Sequence, residues 1–191
     1  QIDDQAMAEM MRQFAAGIPW RSLMASMVLL GSHDRARFHT VVGGDRHRNI
    51  AGATLLISYP GVPSVFAGDE IGLEGYWGEN GRRTINWERP DTWNSELLFD
   101  YMELIKLRKT SHALAYGGIR WIDISKDSVA FLRESAKESI LVFVSRKGVK
   151  KEIDLKPYGF TIKKSLFGPS LKGSTLKINS REAVGGIWQL S

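Results

Sequence analysis

The sequence predicts an α/β segment followed by a small all-β domain. In the first part of the chain, short apolar runs alternate with helical patterns, which is typical of parallel strands joined by crossover helices. From Ile119 the apolar residues recur at every second position, as in antiparallel strands. Basic residues change as well, because eleven Arg and two Lys lie up to Ser125, whereas three Arg and ten Lys follow. We therefore predict two domains, 1–115 and 116–191.

The composition is that of a globular protein and excludes several kinds of site. The 191 residues are 43% hydrophobic, which is enough for a sizeable core. Without cysteine there are no disulfides and no thiolate metal sites, and we expect a reducing, cytoplasmic location. No apolar run approaches the roughly 20 residues that span a bilayer. A net charge of +5 could attract nucleic acid or anionic lipid, but acidic residues lie among the lysines. We expect neither nucleic acid nor a membrane as a partner.

Two helices are predicted before the first strand. Apolar residues at helical spacing predict an amphipathic helix over Ile2–Ala16, which Gly17 ends. Those apolar residues are Met7, Met10, Met11 and Phe14. Pro19 suits the first turn of a helix, so we predict a short second helix over Pro19–Ser26.

Two short apolar runs, Met27–Leu30 and Val62–Phe66, predict parallel strands. Gly31 ends the first run, which we expect to be buried on both faces. The strand ends lie about 35 residues apart, which is an ordinary strand–helix–strand repeat. Between them the sequence predicts a loop over His39–Gly44 and a helix over Arg46–Tyr59. Asp45 is a good N-cap for this helix, and Pro60-Gly61 stops it.

After the second strand, Ile71–Asn94 reads as a long loop, and such loops in compact domains are often functional. A helix is then predicted over Ser95–Thr110, with an apolar face that includes Leu97 and Tyr101. We expect the β domain to pack against this face. Its predicted strands are 120–124, 129–133, 140–145, 151–155, 161–167 and, at the end of the chain, 182–190.

His33 and Asp34 follow directly after the first predicted strand and are the strongest candidates for chemistry. In α/β barrels, catalytic side chains gather at the carboxyl ends of the strands. Asp34 could act on a developing positive charge and His33 could donate to a hydroxyl; alternatively, Asp34 caps a turn and His33 is incidental. Arg37 is a candidate for substrate binding. The alternative for Arg37, as for Arg35, is an ion pair with Asp34 or Asp69.

Three further groups have a functional and a structural interpretation. Asp69 and Glu70 resemble an acid/base pair, but neighbours on an extended strand point to opposite faces, so we favour a structural role. Tyr76 and Trp77 could stack on sugar rings or anchor their loop by packing. The cluster of Arg82, Arg83, Asn86 and Trp87 is expected to pin the long loop down. The histidines His39, His47 and His112 lack metal-ligand spacing and are expected at the surface or in caps.

Taken together, four stretches resemble the α-amylase family of glycoside hydrolases. Leu29–Asp34 is similar to the family's motif at the end of barrel strand seven, and Gly61–Glu70 to the strand-eight segment. Gly78–Trp87 is similar to the loop that follows, and Leu104–Arg108 to the last barrel helix. The Gly-Ser-His-Asp motif is most similar to that of the neopullulanase, cyclomaltodextrinase and bacterial α-glucosidase branch.

This resemblance implies the C-terminal part of a (β/α)8 TIM barrel followed by an antiparallel β-sandwich domain. The family uses a retaining mechanism whose nucleophile and acid/base lie upstream of strand seven, so we expect this chain alone to be inactive. Asp34 would be the family's third carboxylate, and His33 its neighbour on the same sugar ring. Family members often have Thr at the position of Arg35, so the resemblance does not predict the specificity of the adjoining sugar subsite.

The expected function is therefore that of a retaining α-glycosidase acting on α-glucans or maltooligosaccharides, by hydrolysis or transglycosylation. The alternative is a non-catalytic, amylase-like scaffold or partner subunit. The expected partners are the sugar substrate and either a second copy of the chain or the missing part of the barrel. We identify no cofactor site in this segment, and the resemblance allows a calcium ion in the full-length enzyme.

Overall fold

A computed structural model describes residues 4–191, so the predicted start of the first helix at Ile2 lies outside the described residues. The helices are α1 Asp4–Ala16, α2 Trp20–Ala25, α3 Phe38–Val41, α4 Arg46–Ser58, α5 Ser95–Thr110 and α6 His112–Tyr116. The strands are β1 Met27–Leu29, β2 Val62–Ser64, β3 Gly118–Ser125, β4 Ser128–Glu134, β5 Ser139–Ser145, β6 Val149–Asp154, β7 Ile162–Phe167, β8 Thr175–Ser180 and β9 Val184–Leu190. Most predicted elements are confirmed within one or two residues.

The strands β1 and β2 pair in parallel, with Met27 opposite Val62 and Leu29 opposite Ser64. Alternate residues of a strand face opposite sides, and one side of this pair is open. Met27, Leu29 and Val62 are 66%, 46% and 53% exposed. The expectation that the first strand is buried on both faces is therefore wrong for the described residues, because no described element covers this face.

The helix α4 joins the two parallel strands and begins where its sequence indicates. The side chain of Asp45 accepts a hydrogen bond from the backbone N–H of Arg48 at 3.1 Å, which confirms the predicted N-cap. The predicted loop before it is not a loop throughout, because α3 occupies its first residues. Gly43 and Gly44, with φ of 73° and 74°, then turn the chain toward α4. The double glycine therefore lies just after the C-terminal end of α3, and only the residues after this short helix form the connection to α4.

The second half of the chain forms two antiparallel sheets. Five strands lie in the order β3-β4-β5-β9-β7, and β6 pairs with β8 in a separate two-stranded sheet. The prediction of an antiparallel β domain with no helix between Val129 and Leu155 is confirmed. In this half of the chain two elements were missed: α6, which lies just before β3, and β8, whose Thr, Lys and Asn residues gave little apolar signal.

The five-stranded sheet carries a core on each face, because its residues alternate along each strand. Val129 and Phe131 of β4 belong to the core shared with the helices, and Ala130 and Leu132 belong to the core shared with β6 and β8. The second core is completed by four residues from around the two-stranded sheet. They are Ile153, Leu155, Leu176 and Ile178.

Helix α4 lies directly on β9. A Cβ added at Gly185 would be 2.2 Å from the Oγ1 of Thr54 and 3.2 Å from the carbonyl oxygen of Ile50. The absence of a side chain at 185 therefore allows the helix to contact the sheet backbone. The expected contact of α5 with the β domain is also present, since Leu97 and Tyr101 enter the same core. However, α4 is the helix that lies closest to the sheet.

Candidate active site

His33 and Asp34 lie just past the end of β1 and are both accessible. Their side chains are 66% and 69% exposed, and the Nε2 of His33 lies 3.2 Å from the Oδ1 of Asp34. The backbone N–H of Asp34 donates to the Oγ of Ser32 at 3.3 Å, which turns the chain at this point. The structure therefore brings the two predicted residues into contact at the carboxyl end of the parallel pair.

Arg82 connects this pair to the long loop. Its Nε donates to the carbonyl oxygen of His33 at 3.1 Å, and its Nη2 lies 3.8 Å from the Oδ1 of Asp34. Its Nη1 also donates to the Oε1 of Glu79 at 3.1 Å. The expectation that Arg82 pins the loop down is confirmed. These exposed ion pairs contribute little stability, but they fix the position of the loop beside Asp34.

Arg37 is buried beneath the site rather than exposed at its surface. Only 2% of this residue is accessible, and its Nη1 lies 3.2 Å from the Oδ1 of Asp69. The Nε donates to the carbonyl oxygen of Gly81 at 2.8 Å, and Nη1 donates to that of Ala67 at 2.6 Å. The guanidinium also lies 3.9 Å from the ring centroid of Phe66. Its donors face protein groups, so we correct the assignment of Arg37 from substrate binding to positioning of the loops.

Asp69, the partner of Arg37, is 3% exposed. Burial raises the pKa of its carboxyl group, and the hydrogen bond from Arg37 opposes this shift. A Cβ at Gly31 would lie 2.7 Å from the Oδ2 of Asp69, so a side chain at this position would displace the carboxylate. Asp69 therefore lies in the segment after β2, and its carboxylate reaches Gly31 at the end of β1.

Asp69 and Glu70 do not form an acid/base pair. They lie in a 3-10 turn, Asp69–Ile71, so the premise that they sit on an extended strand is wrong. The structural role is nevertheless supported, because the Oε2 of Glu70 accepts from the backbone N–H of Gly68 at 2.8 Å. Glu70 thus holds its own turn while Asp69 pairs with Arg37.

Tyr76 and Trp77 are not packing anchors, because they are 67% and 64% exposed. The guanidinium carbon of Arg35 lies 5.1 Å from the ring centroid of Trp77. This contact joins two loops, and sequence reasoning missed it because no local pattern links residues so far apart. In the sequence, the one indication of the contact with Trp77 is that a basic residue, Arg35, directly follows Asp34.

His39 is buried, contrary to the expected surface or capping position. Its Nδ1 lies 3.1 Å from the Nδ2 of Asn49, whose Oδ1 accepts from the hydroxyl of Tyr101 at 3.2 Å. This network joins α3, α4 and α5. Burial, followed by the charges of Asp69 and Glu70, raises the pKa of the Tyr101 phenol, which therefore acts as a neutral donor.

Within residues 4–191, no three His, Asp or Glu side chains come together as a metal site. Over the same residues, none of the helices combines the length and the apolar character needed to cross a membrane.

Comparisons with known proteins show which family the first half of the chain resembles. Residues 1–90 match the family model described as "Alpha amylase, catalytic domain". A cyclomaltodextrinase of Bacillus sp. is 30% identical over 145 residues, which cover 75% of this chain and 26% of that protein. Neopullulanase 2 of Thermoactinomyces vulgaris is 33% identical over 127 residues, which cover 65% of this chain and 22% of that protein. The chain thus spans about a quarter of the length of these curated relatives.

Solved structures are similar to nearly the whole chain. The native form of the Nostoc punctiforme debranching enzyme is 25% identical with a TM-score of 0.86, over 98% of this chain and 40% of that chain. The ligand-free cyclic α-maltosyl-(1→6)-maltose hydrolase of Arthrobacter globiformis is 26% identical with a TM-score of 0.80, over 97% and 40% of the two chains. The first 90 residues, just under half of the chain, are thus similar to the catalytic domain of the α-amylase family of glycoside hydrolases.

Proposed function

We propose that this chain is the C-terminal portion of a retaining glycosidase that acts on α-glucans or maltooligosaccharides. Hydrolysis is the main reaction, with transfer to another sugar as a second outcome. Residues 1–115 form the last strands and helices of a (β/α)8 barrel, and residues 116–191 form a β-sandwich. The nucleophile and the acid/base residue lie in sequence outside these 191 residues. The names of the relatives, cyclomaltodextrinase and neopullulanase, support this substrate class.

The observation that carries the proposal is the accessible Asp34 carboxylate at the end of β1. Both of its side-chain contacts, with His33 and Arg82, are made to Oδ1. Within residues 4–191, no hydrogen bond or ion pair reaches its Oδ2, so this oxygen is available to a sugar hydroxyl. In the transition state the sugar ring gains positive charge, and a fixed carboxylate beside it lowers the barrier.

His33 supports this role by its position. Its carbonyl oxygen is held by Arg82, and its Nε2 lies against Asp34. The imidazole is 66% exposed at the same surface, so it can donate to a hydroxyl of the sugar that Asp34 contacts. The two side chains then address one ring from adjacent positions in the turn.

The open face of the parallel pair supports a partner. Met27, Leu29 and Val62 form an exposed apolar surface, and the outer edges of β1 and β2 are unpaired among the described residues. We propose that the rest of the barrel, or a second copy of the chain, covers this surface in the active protein.

The test uses the longest gene product that contains residues 1–191 and measures sugar release from maltotriose, pullulan and a cyclodextrin. We expect Asp34→Asn to lower turnover by several orders of magnitude and to leave folding intact, because the two side chains are nearly isosteric. The matched control is Asp154→Asn in β6, an exposed carboxylate of the β domain.

Two results would contradict the proposal. If the Asp34→Asn variant keeps turnover within about tenfold of the wild type, or about 1.4 kcal/mol of barrier, Asp34 is not the transition-state carboxylate. If the wild-type product releases no sugar from any of the three substrates, the alternative of a non-catalytic scaffold is favoured.

A further inference from the structure

The loop segment 75–82 is tied to the segment 33–37 along its whole length. The backbone N–H of Arg37 donates to the carbonyl oxygen of Gly75 at 2.8 Å, and its Nε donates to that of Gly81 at 2.8 Å. At the far end, the Nε of Arg82 donates to the carbonyl oxygen of His33 at 3.1 Å. Three bonds therefore hold the two segments side by side, and the residues between them have a fixed place.

Close packing of the backbone adds to this rigidity. A Cβ at Gly75 would lie 2.6 Å from the carbonyl oxygen of Asn80, and one at Gly81 would lie 2.7 Å from that of Tyr76. The side chain of Asn80 accepts from the backbone N–H of Tyr76 at 2.7 Å. The turn that carries Tyr76 and Trp77 is thus closed by its own contacts as well as by the neighbouring segment.

Trp77 projects from this rigid turn into solvent. Although 64% of it is exposed, Arg35 limits its movement, because the guanidinium lies over the indole at 5.1 Å. Arg35 follows Asp34 directly in the chain, so the aromatic ring and the carboxylate are held by the same short turn. Because the indole is exposed, it contributes little to the packing of the fold. Because Arg35 already limits its movement, it loses little conformational entropy when a ligand stacks on it.

We propose that Trp77, held by Arg35, is a stacking subsite for an uncharged glucose ring of an α-glucan, beside the ring that contacts Asp34. The substrate class rests on the proposed function, whereas the subsite rests on the geometry of Arg35 and Trp77. The flat, apolar face of a pyranose matches an indole face. Arg35 faces the indole and Arg82 pairs with Asp34 and Glu79, so these two cations are directed at protein groups rather than at an anionic sugar.

The test follows the indole N–H signals of the ¹⁵N-labelled longest gene product that contains residues 1–191, in its Asp34→Asn form so that sugar is not consumed, during titration with maltoheptaose. The Trp77 signal is identified as the one that Trp77→Phe removes. We expect it to shift on titration, and we expect Trp77→Ala to raise the dissociation constant about tenfold. Arg35→Ala should raise it by a smaller factor, since the ring stays but loses its support. The matched control is Trp20→Ala, an exposed tryptophan at the start of α2, which lies before β1 and not after it.

The outcomes separate this subsite from the proposed function. An unmoved Trp77 signal, an unchanged dissociation constant in Trp77→Ala, or an equal loss in Trp20→Ala would overturn the subsite, whatever the activity assay gives. Tighter binding of a phosphorylated maltooligosaccharide than of maltoheptaose would overturn the assignment of an uncharged ring. Loss of activity in Asp34→Asn with no binding at Trp77 would leave the proposed function standing alone.

Discussion

Arg108 and Arg133 converge on the C-terminal end of α4, where both donate to main-chain carbonyl oxygens. Arg108 reaches those of Ile57 and Tyr59 at 2.9 Å each, and Arg133 donates to that of Ser58. Arg133 is fully buried and, among the described residues, has no carboxylate partner. The negative end of the helix dipole supplies the compensating charge. Burial, followed by the charge of Arg108, lowers the pKa of Arg133 to about 9.

Replacing Arg133 with Ala should destabilise the protein by about 2–4 kcal/mol, because three carbonyl oxygens, two of them in buried hydrogen bonds, lose their donor. They belong to Ser58, Gly117 and Gly118. Urea denaturation measures the change. Arg181→Ala, at an exposed arginine, should stay within about 0.5 kcal/mol of the wild type. Equal stability of the two variants would show that the helix end does not depend on Arg133.

The ion pair between Arg37 and Asp69 should show strong coupling in a double-mutant cycle. Arg37→Met leaves the Asp69 carboxylate buried alone, and we expect a loss of about 3–5 kcal/mol. Adding Asp69→Asn should restore part of this loss, since a neutral amide needs no counter-charge. Additive effects in urea denaturation would contradict the pairing.

Asp69 should also give the stability a defined pH dependence. Its pKa is raised in the folded state, so above the unfolded value of about 4 the folded protein keeps a proton that the unfolded chain has released. In that window the contribution of Asp69 to the free energy of unfolding falls as pH rises through the folded pKa. Relative to the wild type, Asp69→Asn should therefore gain stability with rising pH. A flat or opposite difference between their urea midpoints would contradict this prediction.

Substitution of Gly185 tests the contact of α4 with β9. The new Cβ in Gly185→Ala would meet the side chain of Thr54 and the backbone of Ile50, and we expect a loss of about 1–3 kcal/mol. Gly118→Ala is the matched control, because no atom lies within 4 Å of its added Cβ. If the two variants unfold at the same temperature, the helix does not approach the sheet as closely as the structure shows.

The isolated chain should show no glycosidase activity and should expose apolar surface. Sugar release from maltotriose or pullulan by the purified 191-residue chain would refute the first expectation. For the second, we expect dye binding or self-association that falls when Met27, Leu29 and Val62 are all replaced by Thr. Stability should change little, because these side chains are 46–66% exposed. A monodisperse wild-type monomer with low dye binding would contradict the open face.

Sequence patterns predicted the elements well because their signals are local. Asp45 caps α4 as expected, and short apolar runs bounded by turn residues located β4 and β5. Contacts between distant segments were not predictable in this way. The pairing of Arg37 with Asp69 stood only as an alternative, and the approach of α4 to β9 depends on Gly185, whose partner Thr54 lies in another element. These contacts arise from tertiary packing, which no window of neighbouring residues contains.

The bonds between segments 33–37 and 75–82 also have a consequence for the order of events during synthesis. Asp34 leaves the ribosome well before Arg82, and Arg37 well before Gly75 and Gly81, so the turn that carries the carboxylate is made without its partners. Closing such a long connection costs entropy, which local contacts cannot repay until α4 and β2 have formed. The carboxylate therefore acquires its surroundings late, after the scaffold that brings the two segments together.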